Sequence, residues 1–137
     1  MMRLCSVRFV VAVALGSVGI FSASLVSAEA SDVAGVWRGA SVCVTDAPTC
    51  HNEDVVYYIR DVPDQPDLVL IQADKIVDGK AITMGTGQWL YDRAPHTLEW
   101  RTPQQTWLLK VTGTRIEGTL KLADGTVFRK VLLRKDE

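Results

Sequence analysis

The stretch TWLLKVTGTRIEGTLKLADGTVFRKVLLR, residues 106–134, decides the fold. Trp107, Leu109 and Val111 point one way, and Lys110 and Thr112 the other. A few residues on, Ile116, Gly118, Leu120 and Leu122 oppose Glu117, Thr119 and Lys121. Side chains of an extended chain alternate with a period of two, so this pattern describes strands with one dry face and one wet face. The breaks between these strands are short. Asp124-Gly125, like Asp78-Gly79 upstream, is a dipeptide favoured in type I′ hairpins, because glycine accepts a positive φ without steric cost. Gly113-Thr114 is a third tight connection.

Working outward, the same reading gives nine candidate strands: residues 35–45, 54–62, 67–76, 80–84, 88–91, 97–101, 106–112, 115–122 and 126–134. Pro48, Pro63, Pro66, Pro95 and Pro103 all fall between them, where a missing N–H breaks no ladder. No helical stripe of useful length interrupts the series, and residues 29–34 have room for one turn at most. Eight or nine short strands on tight connections predict an all-β, antiparallel up-and-down meander. A meander that long leaves two raw edges unless it curls shut, so a small closed β-barrel is expected.

The first residues read differently. Arg3 and Arg8 precede an apolar run from Phe9 to Val26, which ends in Val26-Ser27-Ala28. A basic start, an apolar stretch and small residues at the cut make a secretory signal peptide. The competing reading is an uncleaved anchor. It is disfavoured by Gly16, Ser17, Gly19, Ser22 and Ser24 within the run, and by the lack of basic residues after it. Cys5 lies before the apolar run, on the wrong side for lipid attachment. The expected organisation is a cleaved signal peptide over residues 1–28 and a single domain over 29–137, periplasmic or secreted, with no membrane attachment after cleavage.

The chain carries 15 basic and 16 acidic residues, a net charge of −1. Cleavage removes Arg3 and Arg8 and makes the domain more acidic. With charges interspersed and no basic patch, nucleic-acid binding has no electrostatic footing. Cys43 and Cys50 remain, an even number that predicts a disulfide in an exported chain. Two free thiols, or half of a zinc site with His51, are the alternatives, and the spacing does not match the usual zinc pairs. Closing so short a loop stabilises the fold by ~2.5 kcal/mol in the chain-entropy account.

No G-x-S-x-G, H-E-x-x-H or P-loop motif is present. His51 and His96 both fall in expected loops. Asp61, Asp64 and Asp67 cluster around two prolines, but without the spacing of an EF-hand. Arg38, Lys75, Arg93 and Arg101 read as solvated charges. No catalytic residue, metal site or cofactor is expected, and the domain reads as non-enzymatic. Its distinctive feature is aromatic: Trp37, Trp89, Trp100 and Trp107, with Tyr57, Tyr58 and Tyr91. Such rings either fill a small barrel or line a pocket in it. Trp89, Trp100, Trp107, Tyr57 and Tyr91 are the candidates for contact with a small hydrophobic ligand. The alternative partner is another exported protein, contacted through the preorganised Cys43–Cys50 loop.

Gly35-Val36-Trp37 on the first strand, with Phe128-Arg129-Lys130-Val131-Leu132-Leu133-Arg134 on the last, resembles the calycin superfamily of lipocalins and their relatives. The resemblance implies that Trp37 lies across the closed end of a barrel and that an arginine packs over it. Arg129, on the face of Val127, Val131 and Leu133, is the better candidate for that role, and Arg134 the other. The region also looks like uncharacterised exported bacterial β-barrel proteins, notably at Ala73-Asp74-Lys75-Ile76-Val77-Asp78-Gly79 and Met84-Gly85. Small exported barrels of calycin type include inhibitors of hydrolases, which implies the same protein-contact alternative. The resemblance implies a fold and transfers no ligand.

Overall fold

Alternation and tight turns resolve into eight antiparallel strands in a computed structural model that describes residues 31–137. The signal peptide expected over residues 1–28 lies outside the described residues. The strands are β1 (Gly35–Cys43), β2 (Glu53–Val62), β3 (Gln65–Val77), β4 (Lys80–Asp92), β5 (Thr97–Arg101), β6 (Gln105–Thr112), β7 (Arg115–Leu122) and β8 (Val127–Lys135). Each pairs with its sequence neighbour, and β1 pairs with β8 from Trp37↔Lys135 to Cys43↔Arg129, so the meander closes into a barrel.

The expected alternation separates the two faces. Trp37, Ile59, Ile71, Leu98, Leu109, Ile116 and Leu133 are among the side chains fully enclosed in the core. Each such apolar group contributes about 1.5–3 kcal/mol on burial. Lys110, Glu117, Lys121, Lys130 and Arg134 are exposed on the outer wall. An apolar interior and a charged exterior reverse the pattern of a barrel that faces lipid. Among the described residues no helix is long and apolar enough to cross a membrane.

Three local expectations change. Residues 80–84 and 88–91 are not separate strands: they belong to β4, which runs unbroken through Gly85-Thr86-Gly87. These glycines do not turn the chain. A register shift at Ala73/Asp74 on β3 absorbs one extra β4 residue, and the strand continues. Pro66 falls inside β3 instead of before it, but at its frayed start. Val62↔Gln65 is the only β2 pairing before the ladder resumes at Asp61↔Val69, so the missing N–H breaks no ladder. Asp78 and Gly79 both take positive φ, as a type I′ turn requires, whereas in the β7–β8 connection only Gly125 does. There Asp124 Oδ1 accepts from the Thr126 N–H at 2.9 Å within a wider loop.

One end of the barrel is plugged by residues 31–34. Val33 is buried, and its carbonyl accepts from Trp37 Nε1 at 2.8 Å. Asp61 accepts from both the N–H and the hydroxyl of Ser31. The Tyr91 hydroxyl donates to Asp32 Oδ1 at 2.8 Å. Burial first, and then that bond, push the Tyr91 phenol up to about 12, while the same bond is the main cause holding Asp32 below the usual carboxylate range. Trp37 takes the expected place at the closed end, but its cation is Lys135, with Nζ 5.5 Å from the ring centroid and donating to the Asp32 carbonyl at 2.7 Å. Arg129 faces inward but lies at the other end of the barrel, opposite Cys43. The Trp37–Arg129 pair therefore does not form. Strand parity sets which face a residue occupies, and its position along the strand sets which end it reaches.

Two interior glycines allow close approach of neighbouring backbones. A Cβ on Gly39 falls 1.9 Å from the Leu132 carbonyl oxygen, and one on Gly118 falls 2.1 Å from that of Leu108. Around Gly87, by contrast, a Cβ meets nothing within 4 Å. Urea unfolding is expected to show Gly39→Ala destabilised by about 1–3 kcal/mol. Gly87→Ala should stay within about 0.5 kcal/mol of the parent. Equal effects at the two positions would contradict the close approach.

Candidate functional site: an aromatic cavity at the open end

The end opposite the plug is not filled. β4 carries Gly85, Gly87, Trp89 and Tyr91 on its inner face, since Gly85 pairs with Ala73, Gly87 with Ile71 and Trp89 with Val69. The two glycines leave space where other strands place bulk, and a cavity of about 380 Å³ opens there. Trp89, Trp100 and Trp107 form its aromatic wall. Trp89 and Trp100 have ring centroids 5.9 Å apart, and Trp89 and Trp107 6.2 Å apart, both tilted. Such offset, tilted pairs are favourable arrangements for ring quadrupoles. Trp100 and Trp107 are directly paired across β5 and β6. Trp100 is 39% exposed and forms the rim, whereas Trp89, at 6%, forms the wall. Tyr57, Ile71 and Met84 complete the apolar lining.

The polar side of the cavity comes from Arg129, Glu53, Ser41 and Gln105. Arg129 is 8% exposed, so its charge needs partners. Its Nε donates to Ser41 Oγ at 3.1 Å, and both terminal nitrogens donate to the His51 carbonyl. Glu53 Oε2 lies 3.5 Å from Arg129, and Glu53 Oε1 lies 3.5 Å from Lys75 Nζ. Lys75 is thus half of a bridge at the mouth, not a free surface charge.

The Cys43–Cys50 disulfide forms, with Cα atoms 6.0 Å apart. The loop it closes is held at both ends: Cys43 N donates to Asn52 Oδ1 at 2.8 Å, and Arg129 grips His51 from inside the barrel. A disulfide of this kind belongs to oxidising surroundings.

Of the five residues proposed for ligand contact, Trp89, Trp100, Trp107 and Tyr57 line this cavity. Tyr91 does not. It lies on the same face of β4, but two positions nearer the plug, where Asp32 holds its hydroxyl. Gly85, Gly87, Met84, Ser41, Glu53, Gln105 and Arg129 were not singled out for the cavity from sequence. Gly85, Gly87 and Trp89 do share a period-two face, and that signal was available. Trp107 Nε1 is buried without a hydrogen-bond partner among the described residues, an unsatisfied donor in the cavity wall. Among the described residues no cluster of His, Cys, Asp or Glu has the geometry to hold a metal ion.

These features define an eight-stranded, closed, up-and-down barrel with an aromatic cavity at one end, an architecture compatible with the calycin type. The chain matches no family model, and no curated protein matches it.

Burial is the chief cause that pushes the Tyr57 phenol up to about 12, with Glu53 adding to it and Arg129 opposing it. In the unfolded chain the phenol titrates near ~10. Between these values the folded state retains a proton that the unfolded state has lost. Stability is therefore full below about pH 10 and falls as pH rises toward about 12, by on the order of 2 kcal/mol for this group. Urea midpoints measured across this range should fall less steeply in Tyr57→Phe than in the parent. Identical slopes would place the hydroxyl in water.

Proposed function

We propose that the protein is an exported, non-enzymatic binding module that holds a small, flat, apolar ligand in the tryptophan-lined cavity. The observation that carries this reading is the cavity itself. Three indoles and a tyrosine surround a space within the ~300–1,000 Å³ range of small-molecule sites. Two glycines on β4 leave that space open, although a Cβ at either would meet nothing within 4 Å. The polar groups at one side, led by Arg129 and Glu53, fix orientation in such a site, while the rings supply contact area. The disulfide supports a periplasmic or extracellular location, and the barrel architecture supports a calycin-like assignment.

A second reading, a protein contact through the Cys43–Cys50 loop, is supported by the way that loop is pinned. A covalent staple and the Arg129–His51 bonds hold it in one conformation, which lowers the entropy lost on docking.

N-phenyl-1-naphthylamine, a flat apolar probe, tests the first reading. Saturable quenching of tryptophan emission is expected. Trp100→Ala should weaken binding by ~10-fold, the equivalent of about 1.4 kcal/mol. Because Trp100 is a partly exposed rim residue, its removal should change stability by no more than about 1 kcal/mol. Absence of quenching, or equal affinity in the variant, would remove the cavity as a site.

A further inference from the structure

The barrel is closed along β4 and β5 at the plugged end only. β4 spans Lys80–Asp92, but its pairing with β5 consists of Leu90↔Glu99, Tyr91↔Leu98 and Asp92↔Thr97. From Lys80 to Trp89 the edge of β4 that faces β5 has no strand partner among the described residues. Among the described residues no backbone hydrogen bond from a turn or loop reaches it either. On its other edge the same stretch is paired with β3 at every residue but Met84, the extra residue at the register shift, so it is an ordered strand with one row of backbone donors and acceptors unmatched.

Exposed strand edges ordinarily carry deterrents to pairing: charges, prolines, or a covering loop. Between Ala81 and Gln88 there is no charged residue and no proline. Gly85 and Gly87 are neither turn glycines nor in the positive-φ region, and a Cβ on either meets nothing. Glycine in a strand interior marks a bulge or a place where a ligand or another backbone comes close; Gly85 adjoins the register shift at Met84, whereas Gly87 stands clear of it, paired with Ile71. The bare edge also runs along the tryptophan cavity, whose lining includes Met84, Gly85, Thr86 and Gly87 on one side of the gap and Trp100 on the other.

We propose that this edge of β4 is a docking site for an extended peptide segment of a partner protein, added as a further strand with one large apolar side chain entering the tryptophan cavity. The unmatched backbone groups specify an extended main chain, and alternate side chains supply selectivity. A second copy of this chain is the poorer occupant, because the inner-face residues of its own β4 here are Gly85 and Gly87, with nothing to fill the cavity. The inference rests on the cavity reading above only for the side chain that is inserted.

Selection of the purified protein against a displayed library of random dodecapeptides, followed by calorimetry on the synthetic winners, tests it. Enriched sequences should share a large apolar residue. Methylating alternate backbone nitrogens in one register should weaken binding at least 10-fold, while methylating the other alternate set should not. No enrichment, indifference to methylation in both registers, or a dimer through β4 that excludes peptide would each overturn the proposal. The naphthylamine probe separates the two readings. Quenching without peptide enrichment overturns the edge inference alone. Methylation-sensitive peptide binding without quenching supports the edge and removes the small-ligand reading.

Discussion

Closure of the sheet by β1 against β8 is the constraint on which the rest of the structure depends. A meander of eight strands has two edges, and only their union removes both. Here the union is continuous from Trp37↔Lys135 to Cys43↔Arg129. It needs Gly39, because the Leu132 carbonyl occupies the place a Cβ would take. Once the seam is made, the two ends of the molecule acquire different characters. At one end Lys135 is brought over Trp37, and residues 31–34 are tied down as a plug by Asp32, Asp61 and Tyr91. At the other, Arg129 is brought beside Ser41 and the disulfide loop.

The opposite side of the barrel relaxes that closure. A strand of 13 residues, β4, stands beside one of 5 residues, β5, and the two cannot match over their whole length. The mismatch falls where β4 carries two glycines and where three tryptophans meet. Cavity, glycines and unpaired edge are therefore one feature seen from three sides. The indoles keep the gap from collapsing, the glycines keep it empty, and the short β5 leaves it reachable from the flank as well as from the mouth. Binding groups are commonly held on a rigid frame with a locally incomplete element, since the frame supplies order and the gap supplies access.

How much of this was legible in the sequence differs by residue. Alternation at Trp107–Val111 and Ile116–Leu120 gave the strands, because burial on one face of a pleated chain writes a period of two directly into the residues. The meander order and closure followed from tight turns and the need to hide edges. Gly85-Thr86-Gly87 reads as a gap between two strands, since two glycines in three residues carry no alternation of apolar and polar side chains, whereas β4 runs through it. The face of Arg129 was legible from its alternation with Val131 and Leu133. Its level along the barrel is not, because alternation carries no information on depth; the calycin resemblance implies an arginine over Trp37, where Lys135 stands. The depth of Tyr91 is hidden for the same reason. Its face was right, but its hydroxyl belongs to a plug bond with Asp32, a partner 59 residues away.

Residue-resolved amide hydrogen exchange on the free protein measures the central claim, a barrel sealed at β1–β8 and open along β4. The slowest amides should lie on β1 and β8. Within Ala81–Gln88, amides directed at β3 should be protected, and those directed at β5 should exchange at nearly unprotected rates. Uniform protection along both edges of β4 would show that the gap is covered, and the account of an accessible aromatic cavity would not stand.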